Sequence, residues 1–245
     1  MNIVTIDPSL TCTGLTVNGK PFVFAAEHLA LTKTCKYKKW FELCSEHCEI
    51  ITIDTSYGNE RSYSKLELNK LTTYTEVVNL LKQTIDNNSN NRHNTVCLIE
   101  GYSYSSASGP LIDLVTFGTL LRSLFSSNDK VELVVVAPTS LKRQAAKLTY
   151  SAIKQGSKLT YRNHDGVAGG SFKKHEMLKV LLENDKIDTD WIRFLRENKE
   201  ELLESKNIPK PIEDINDAII MHHLVEKVIE EEKTFKKVID CLRSL

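Results

Sequence analysis

The sequence predicts an α/β fold: a mixed sheet, in which a three-strand antiparallel meander is joined by parallel strands, flanked by helices. Three observations predict it. The segments read in the order strand, strand, strand, helix, strand, helix, strand, helices. An Asn18-Gly19 pair separates the second and third apolar runs, the signal of a two-residue hairpin. The later runs are separated by helix-length segments, so they need crossovers and lie parallel.

The first strand is NIVTID (2–7), an apolar run that ends on Asp7. Asp7-Pro8-Ser9 then turns the chain, because proline fixes φ and serine bonds locally. TGLTV (13–17) and PFVFAA (21–26) are the next two strands, paired across Asn18-Gly19. Residues 30–58 show no single pattern. Within them EIITIDT (49–55) is a candidate strand, and Lys33, Lys36, Lys38 and Lys39 form a basic patch. Residues 61–86 form a helix, since Leu71, Tyr74, Val78, Leu81 and Ile85 recur every three or four residues. After a polar loop at 87–94, TVCLIE (95–100) is a strand that ends on Glu100.

A Ser/Gly/Tyr-rich turn, GYSYSSASG (101–109), leads into a helix from 110 to about 126, with proline in its first turn. VELVVVA (131–137) is apolar and β-branched, as expected of a strand covered on both faces. Pro138-Thr139 opens a helix, with Thr139 as its N-cap. GVAGGS (166–171) reads as a loop, 173–184 as a helix and 186–210 as a charged, partly helical insert. The last helix starts near 211 and runs to about 231, with Ile219, Ile220, Leu224, Val225 and Val228 as its buried stripe. With no repeat and no low-complexity linker, the 245 residues read as one domain with insertions near 30–58 and 186–210.

Two carboxylates thus end apolar strands, and two more, Asp214 and Asp217, lie three apart on one face of the last helix. In this topology Asp7 and Glu100 fall at the same end of neighbouring strands, so four carboxylates can converge. Such a set suits a hard cation with oxygen ligands, and Mg²⁺ is the expected metal, with Mn²⁺ able to substitute. Two such ions about 3.5–4 Å apart can clamp the attacking and leaving oxygens of a phosphodiester displacement. Each carboxylate also has a plain reading: Asp7 and Glu100 as turn formers, Asp214 as a helix cap and Asp217 as a first-turn acid. Those readings leave the coincidence of all four unexplained. His222 and His223, one to two turns after Asp217, could contact the site or be ordinary helix residues.

Composition excludes little. Hydrophobic residues are 41% and charged residues 26%, ordinary for a globular chain. No apolar run approaches the ~20 residues that span a bilayer, and the N-terminus lacks signal-peptide features, so an intracellular, cytoplasmic address is expected. Six scattered cysteines fit reduced thiols. Cys35, Cys44, His47 and Cys48 offer a zinc reading that lacks a second close ligand pair; ordinary thiols on a half-buried helix are the other reading. There is no P-loop, no EF-hand glycine and no nucleophile elbow.

The net charge is zero but unevenly spread: residues 142–174 hold eight Lys or Arg and one acid, Asp165. Lys142, Arg143, Lys147, Lys173 and Lys174 are candidate DNA-binding residues, with Tyr150, Tyr161 and Phe172 interleaved, because cations bind phosphates and rings stack on bases. A solvated surface face is the alternative.

The motifs also resemble a known family. IDPSLTCTGLTV (6–17) resembles the first strand and hairpin of the RuvC family of Holliday junction resolvases, within the ribonuclease H-like superfamily. LIEGYSYSSASG (98–109) is similar to the family's second acidic motif, VVVAPTSLKR (134–143) to its following strand, proline and basic helix, and DINDAIIMHH (214–223) to its closing Asp-x-x-Asp-Ala motif. The resemblance implies a homodimeric, metal-dependent endonuclease that nicks opposing strands of a four-way DNA junction, with Asp7, Glu100, Asp214 and Asp217 as catalytic, metal-binding carboxylates. It places Lys173 or Lys174 near the family's functional lysine. The extra length and two insertions imply a divergent or viral-type member, acting at a nucleoid or viral replication site. The helix at 110–126 is apolar on more than one side, through Leu111, Ile112, Leu114, Val115, Phe117, Leu120, Leu121, Leu124 and Phe125, so one face can meet a partner subunit. Two other classes stay open: a ribonuclease H-like nuclease acting on RNA–DNA hybrids or flaps, and a non-catalytic junction-binding or actin-like protein.

Overall fold

The computed structural model describes residues 1–32, 35–55, 60–90, 92–102, 108–126 and 128–245. Lys33 of the basic patch, Asn91, residues 56–58 of the first insertion and residues 103–107 of the expected turn lie outside them.

β1 (Asn2–Asp7), β2 (Cys12–Val17) and β3 (Lys20–Ala26) form the antiparallel meander. Asn18 and Gly19 both take positive φ, 50° and 84°, the turn whose twist matches the flanking strands. α1 (Glu27–Ala30) and α2 (Lys38–Cys44) lead to β4 (Glu49–Ile53), which lies parallel to β3. α3 (Tyr63–Asn88) precedes β5 (Thr95–Glu100), parallel to β1, and α4 (Ser108–Ser126) crosses to β6 (Val131–Val136), parallel to β5. The sheet order is β4-β3-β2-β1-β5-β6. This is the mixed sheet that the sequence predicts, an antiparallel meander joined by parallel strands, with β4 added at one edge.

Helices cover both faces. On one face α3 and α4 bury Tyr74, Val78, Leu81, Phe117 and Leu121 against Val4, Ile6, Cys97 and Ile99. Leu71, expected in that stripe, is 44% exposed. The opposite face carries α5 (Pro138–Thr149), α6 (Lys174–Glu183), α7 (Asp190–Glu197), α8 (Lys199–Glu204), α9 (Ile212–Glu231) and α10 (Phe235–Arg243). Between α5 and α6 stands a hairpin of β7 (Ala152–Gln155) and β8 (Lys158–Tyr161). No helix among the described residues is long and apolar enough to cross a membrane.

Three local expectations change. β6 has helices on both faces, α4 on one and α10 on the other, but it is the edge strand of the sheet and Val135 is 45% exposed, so the cover on one face is partial. The cap of α5 is Ala137 with Pro138 at the first helical positions, so Thr139 lies inside the first turn and caps nothing. The β7–β8 hairpin and α10 are additions to the expected order.

α9 is the element that completes the site, and three contacts seat it. Thr5 donates to the Ala218 carbonyl at 2.6 Å from the sheet below. Gly14 lets the helix backbone reach β2: a Cβ there would lie 2.1 Å from the Asp214 carbonyl oxygen. From the second insertion, the Trp191 indole N–H donates to Asn216 Oδ1 at 2.9 Å, with both residues buried.

Candidate metal centre

Strand alternation aims the first two carboxylates. Along β1, Ile3 and Thr5 face α9 while Val4 and Ile6 face α3 and α4, so Asp7 points toward α9. Along β5, Val96 and Leu98 take the α9 side, so Glu100 does too. The parallel register sets Ile6 beside Ile99, which makes Asp7 and Glu100 neighbours one step further on. α9 then lays Asp217 over them. Carboxylate oxygens of Asp7, Glu100 and Asp217 all lie within 4.8 Å of one another.

Burial and mutual repulsion penalise this cluster. Burial raises the Asp7 carboxyl above its usual range, against the pull of Lys174. Glu100 is pushed well above the carboxylate range by burial and then by the charges of Asp7 and Asp217. Burial raises Asp217 to about 6 even though Lys174 draws it down. Asp217 Oδ1 is buried and has no hydrogen-bond partner among the described residues. An apolar core would not keep three crowded carboxylates, one of them with an orphan oxygen. A divalent cation with oxygen ligands fits both the donor set and the orphan atom. Asp7, Glu100 and Asp217 are the residues that could hold it.

Asp214 is placed differently. It lies in the first turn of α9, whose cap is Pro211, and is outside the cluster of three. Its Oδ1 accepts from the Lys210 ammonium at 2.6 Å, and its Oδ2 is buried with no partner among the described residues. Burial raises its carboxyl, against the attraction of Lys210. The Cys12 thiol beside it is pushed well up, by burial and then by Asp214.

Lysine enters the centre in a way that sequence reasoning placed only in part. Lys174, at the start of α6, donates to Asp217 Oδ2 at 2.5 Å and contacts Glu213 Oε1 at 3.0 Å. Burial works against its ammonium, but Asp217, Asp7 and Glu213 outweigh it and hold the proton tightly. Lys210 and Glu213 were not anticipated. Lys210 stands four residues before Asp214, a spacing that favours an ion pair.

The remaining candidates disperse. His222 and His223 both turn to Glu226, at 3.3 and 2.7 Å, and draw that carboxyl far down. Cys44 and Cys48 are buried in the core, where burial raises both thiols, Cys48 to about 12. Of the aromatics in the basic stretch, Tyr150 and Phe172 belong to the core, while Tyr161 is half-buried against it with Lys147 over its ring at 5.7 Å. Lys142, Arg143, Lys147 and Lys173 make no ion pair within 4.0 Å among the described residues. Arg143, Lys147 and Tyr161 line an open cleft of about 360 Å³ under the β7–β8 hairpin.

No family model matches the chain, and no curated protein matches it. Among solved structures it is similar to the RuvC of Thermus thermophilus in complex with a Holliday junction substrate, at 14% identity and a TM-score of 0.39, over 94% of this chain and 97% of that one. A second structure of Thermus thermophilus RuvC is similar at 12% identity and a TM-score of 0.38, over 93% and 96% of the two chains.

Proposed function

We propose that this protein is a divalent-metal-dependent endonuclease of branched DNA, one that resolves four-way junctions by paired nicks. The observation that carries this reading is the cluster of half-buried Asp7 and Glu100, at the ends of neighbouring strands, with buried Asp217, one of whose oxygens has no hydrogen-bond partner among the described residues. The four motifs that resemble the RuvC family agree with it. A bound Mg²⁺ or Mn²⁺ would supply an activated water and offset the charge that develops on the leaving oxygen.

The chain's own groups do the rest. The three carboxylates keep the cation position anionic. Lys174 steadies Asp217 in the absence of an ion and has Glu213 as a second partner. Lys142, Arg143, Lys147 and Lys173, free of ion pairs to acids among the described residues, contact backbone phosphates and set binding and its salt dependence.

Two symmetric nicks need two sites in fixed relation, which a two-fold dimer supplies. On α4, Phe117, Leu121 and Phe125 are buried, while Ile112 is 67% and Val115 40% exposed. With Leu68 and Leu71 of α3, these give an apolar surface for a second copy.

A substrate panel tests the reading. With Mg²⁺, the protein should nick a labelled four-way junction at paired sites and leave linear duplex largely intact, and sedimentation should show two chains per junction. Equal cleavage of duplex, or a one-chain complex, would reduce the proposal to a general nuclease. Preference for an RNA–DNA hybrid or a flap would replace it.

A further inference from the structure

The two lysines of the centre are not equivalent. We propose that Lys210 is a resident cation that occupies Asp214 in place of a second divalent ion, so that the centre loads a single ion, on Asp7, Glu100 and Asp217. The inference rests on the metal-centre reading above and says how many ions that centre holds and which residue sets the number.

Lys174 is built to give way. Its side chain is 42% exposed, and it touches two carboxylates, Asp217 at 2.5 Å and Glu213 at 3.0 Å. When it releases Asp217 it keeps Glu213 and gains water. Its partner lies inside the three-carboxylate cluster, so an ion entering there takes up the Asp217 oxygen that Lys174 leaves, along with the orphan Oδ1.

Lys210 has no such exit. Its side chain is 22% exposed, and its one carboxylate within 4.0 Å among the described residues is Asp214, at 2.6 Å. The Asp214 side chain is 3% exposed. A second ion on Asp214 would have to displace this ammonium or sit beside it. Displacement leaves a half-buried cation with only the more distant Glu213, already engaged by Lys174, as counter-ion, and adjacency sets two like charges against each other in a poorly solvated place.

The charges agree. With Lys174 moved onto Glu213 and Lys210 on Asp214, two neutral pairs remain. Asp7, Glu100 and Asp217 then carry three negative charges against one divalent ion. Take Lys210 away and no cation holds the buried Asp214 oxygens, whose remaining neighbour is the weakly donating Cys12 thiol. That carboxylate is the donor a second ion needs.

Manganese counting on the full chain, without DNA, tests this. Bound Mn²⁺ per chain is read by electron paramagnetic resonance during a titration. Wild type should bind one ion, Lys210→Met two, and the double variant Asp214→Asn/Lys210→Met one again. The double variant removes both members of the pair, so it leaves no lone buried charge and serves if Lys210→Met fails to fold. It should hold its ion within about tenfold of the wild-type Kd, since a lost ligand or supporting group typically costs more than that. Two ions on wild type, one ion on folded Lys210→Met, or a larger loss in the double variant would overturn the role given to Lys210 and leave the nuclease reading standing. No ion on wild type would overturn the metal centre itself, and this inference with it.

Discussion

Replacing Asp217 by asparagine should stabilise the metal-free protein and abolish its response to divalent ions. Asp217 is buried, and burial outweighs the attraction of Lys174, so its carboxyl titrates at about 6 against an ordinary 3.8. A folded-state value above the unfolded one means that the folded chain holds the proton more tightly. The contribution to stability is therefore fully present below pH 3.8 and is lost as pH rises through about 6. A shift of about two units corresponds to roughly 3 kcal/mol at pH 8, a figure already net of the Lys174 pair. Asparagine keeps the shape without the charge, so in EDTA at pH 8 it should recover up to that amount, and the gain should vanish towards pH 4. A divalent ion at about 100 times its Kd should return about 2.7 kcal/mol to wild type and little to the variant. Urea unfolding followed through the buried Trp40 and Trp191, from pH 4 to 8 with EDTA or Mg²⁺, measures both effects. An Asp217→Asn variant less stable than wild type in EDTA at pH 8, or stabilised equally by Mg²⁺, would refute the reasoning.

Three further outcomes follow from the same geometry. Asp7→Asn and Glu100→Gln should abolish cleavage while junction affinity, read by gel shift, stays near wild type; near-normal cleavage by either would remove that residue from the site. Neutralising Lys142, Arg143 and Lys173 should flatten the slope of log K against log salt by up to about 2.7, at about 0.9 per phosphate contact, whereas an unchanged slope would make this stretch a solvated face. Gly14→Ala would set a methyl 2.1 Å from the Asp214 carbonyl oxygen and push α9 off the sheet. It should cost about 1–3 kcal/mol in thermal unfolding and weaken Mn²⁺ binding, and a neutral result would mean that α9 need not sit so close.

The parts of the fold that were legible in the sequence are those with strong local punctuation. Asn18-Gly19 marks its hairpin, and the runs ending on Asp7 and Glu100 form β1 and β5 with those residues last. The spacing of Asp214 and Asp217 puts both on one helix. Spacing cannot say which of them reaches the strand ends, because that depends on how Thr5 and Gly14 seat α9. Lys174 meets Asp217 across 43 residues of chain, a pairing that no local pattern encodes. Lys210 and Asp214 are four apart, a spacing at which a helical turn brings the two charges together. Tyr150 and Phe172 sit among cations in sequence yet pack inward, since charge clustering along a chain does not fix which side chains face solvent. The β7–β8 hairpin turns at Gly156-Ser157, with Gly156 at positive φ, a signal diluted by flanking strands of only four largely exposed residues.

The most direct test of the central claim is cleavage of a strand-labelled four-way junction by wild type and Asp7→Asn, each with Mg²⁺ and with EDTA. Wild type with Mg²⁺ should give paired nicks on opposing strands. EDTA should stop them, and Asp7→Asn should bind the junction without cutting it. Cleavage that survives EDTA or Asp7→Asn, or a wild type that leaves the junction intact with Mg²⁺ and Mn²⁺ alike, would contradict a metal-dependent nuclease centred on Asp7, Glu100 and Asp217.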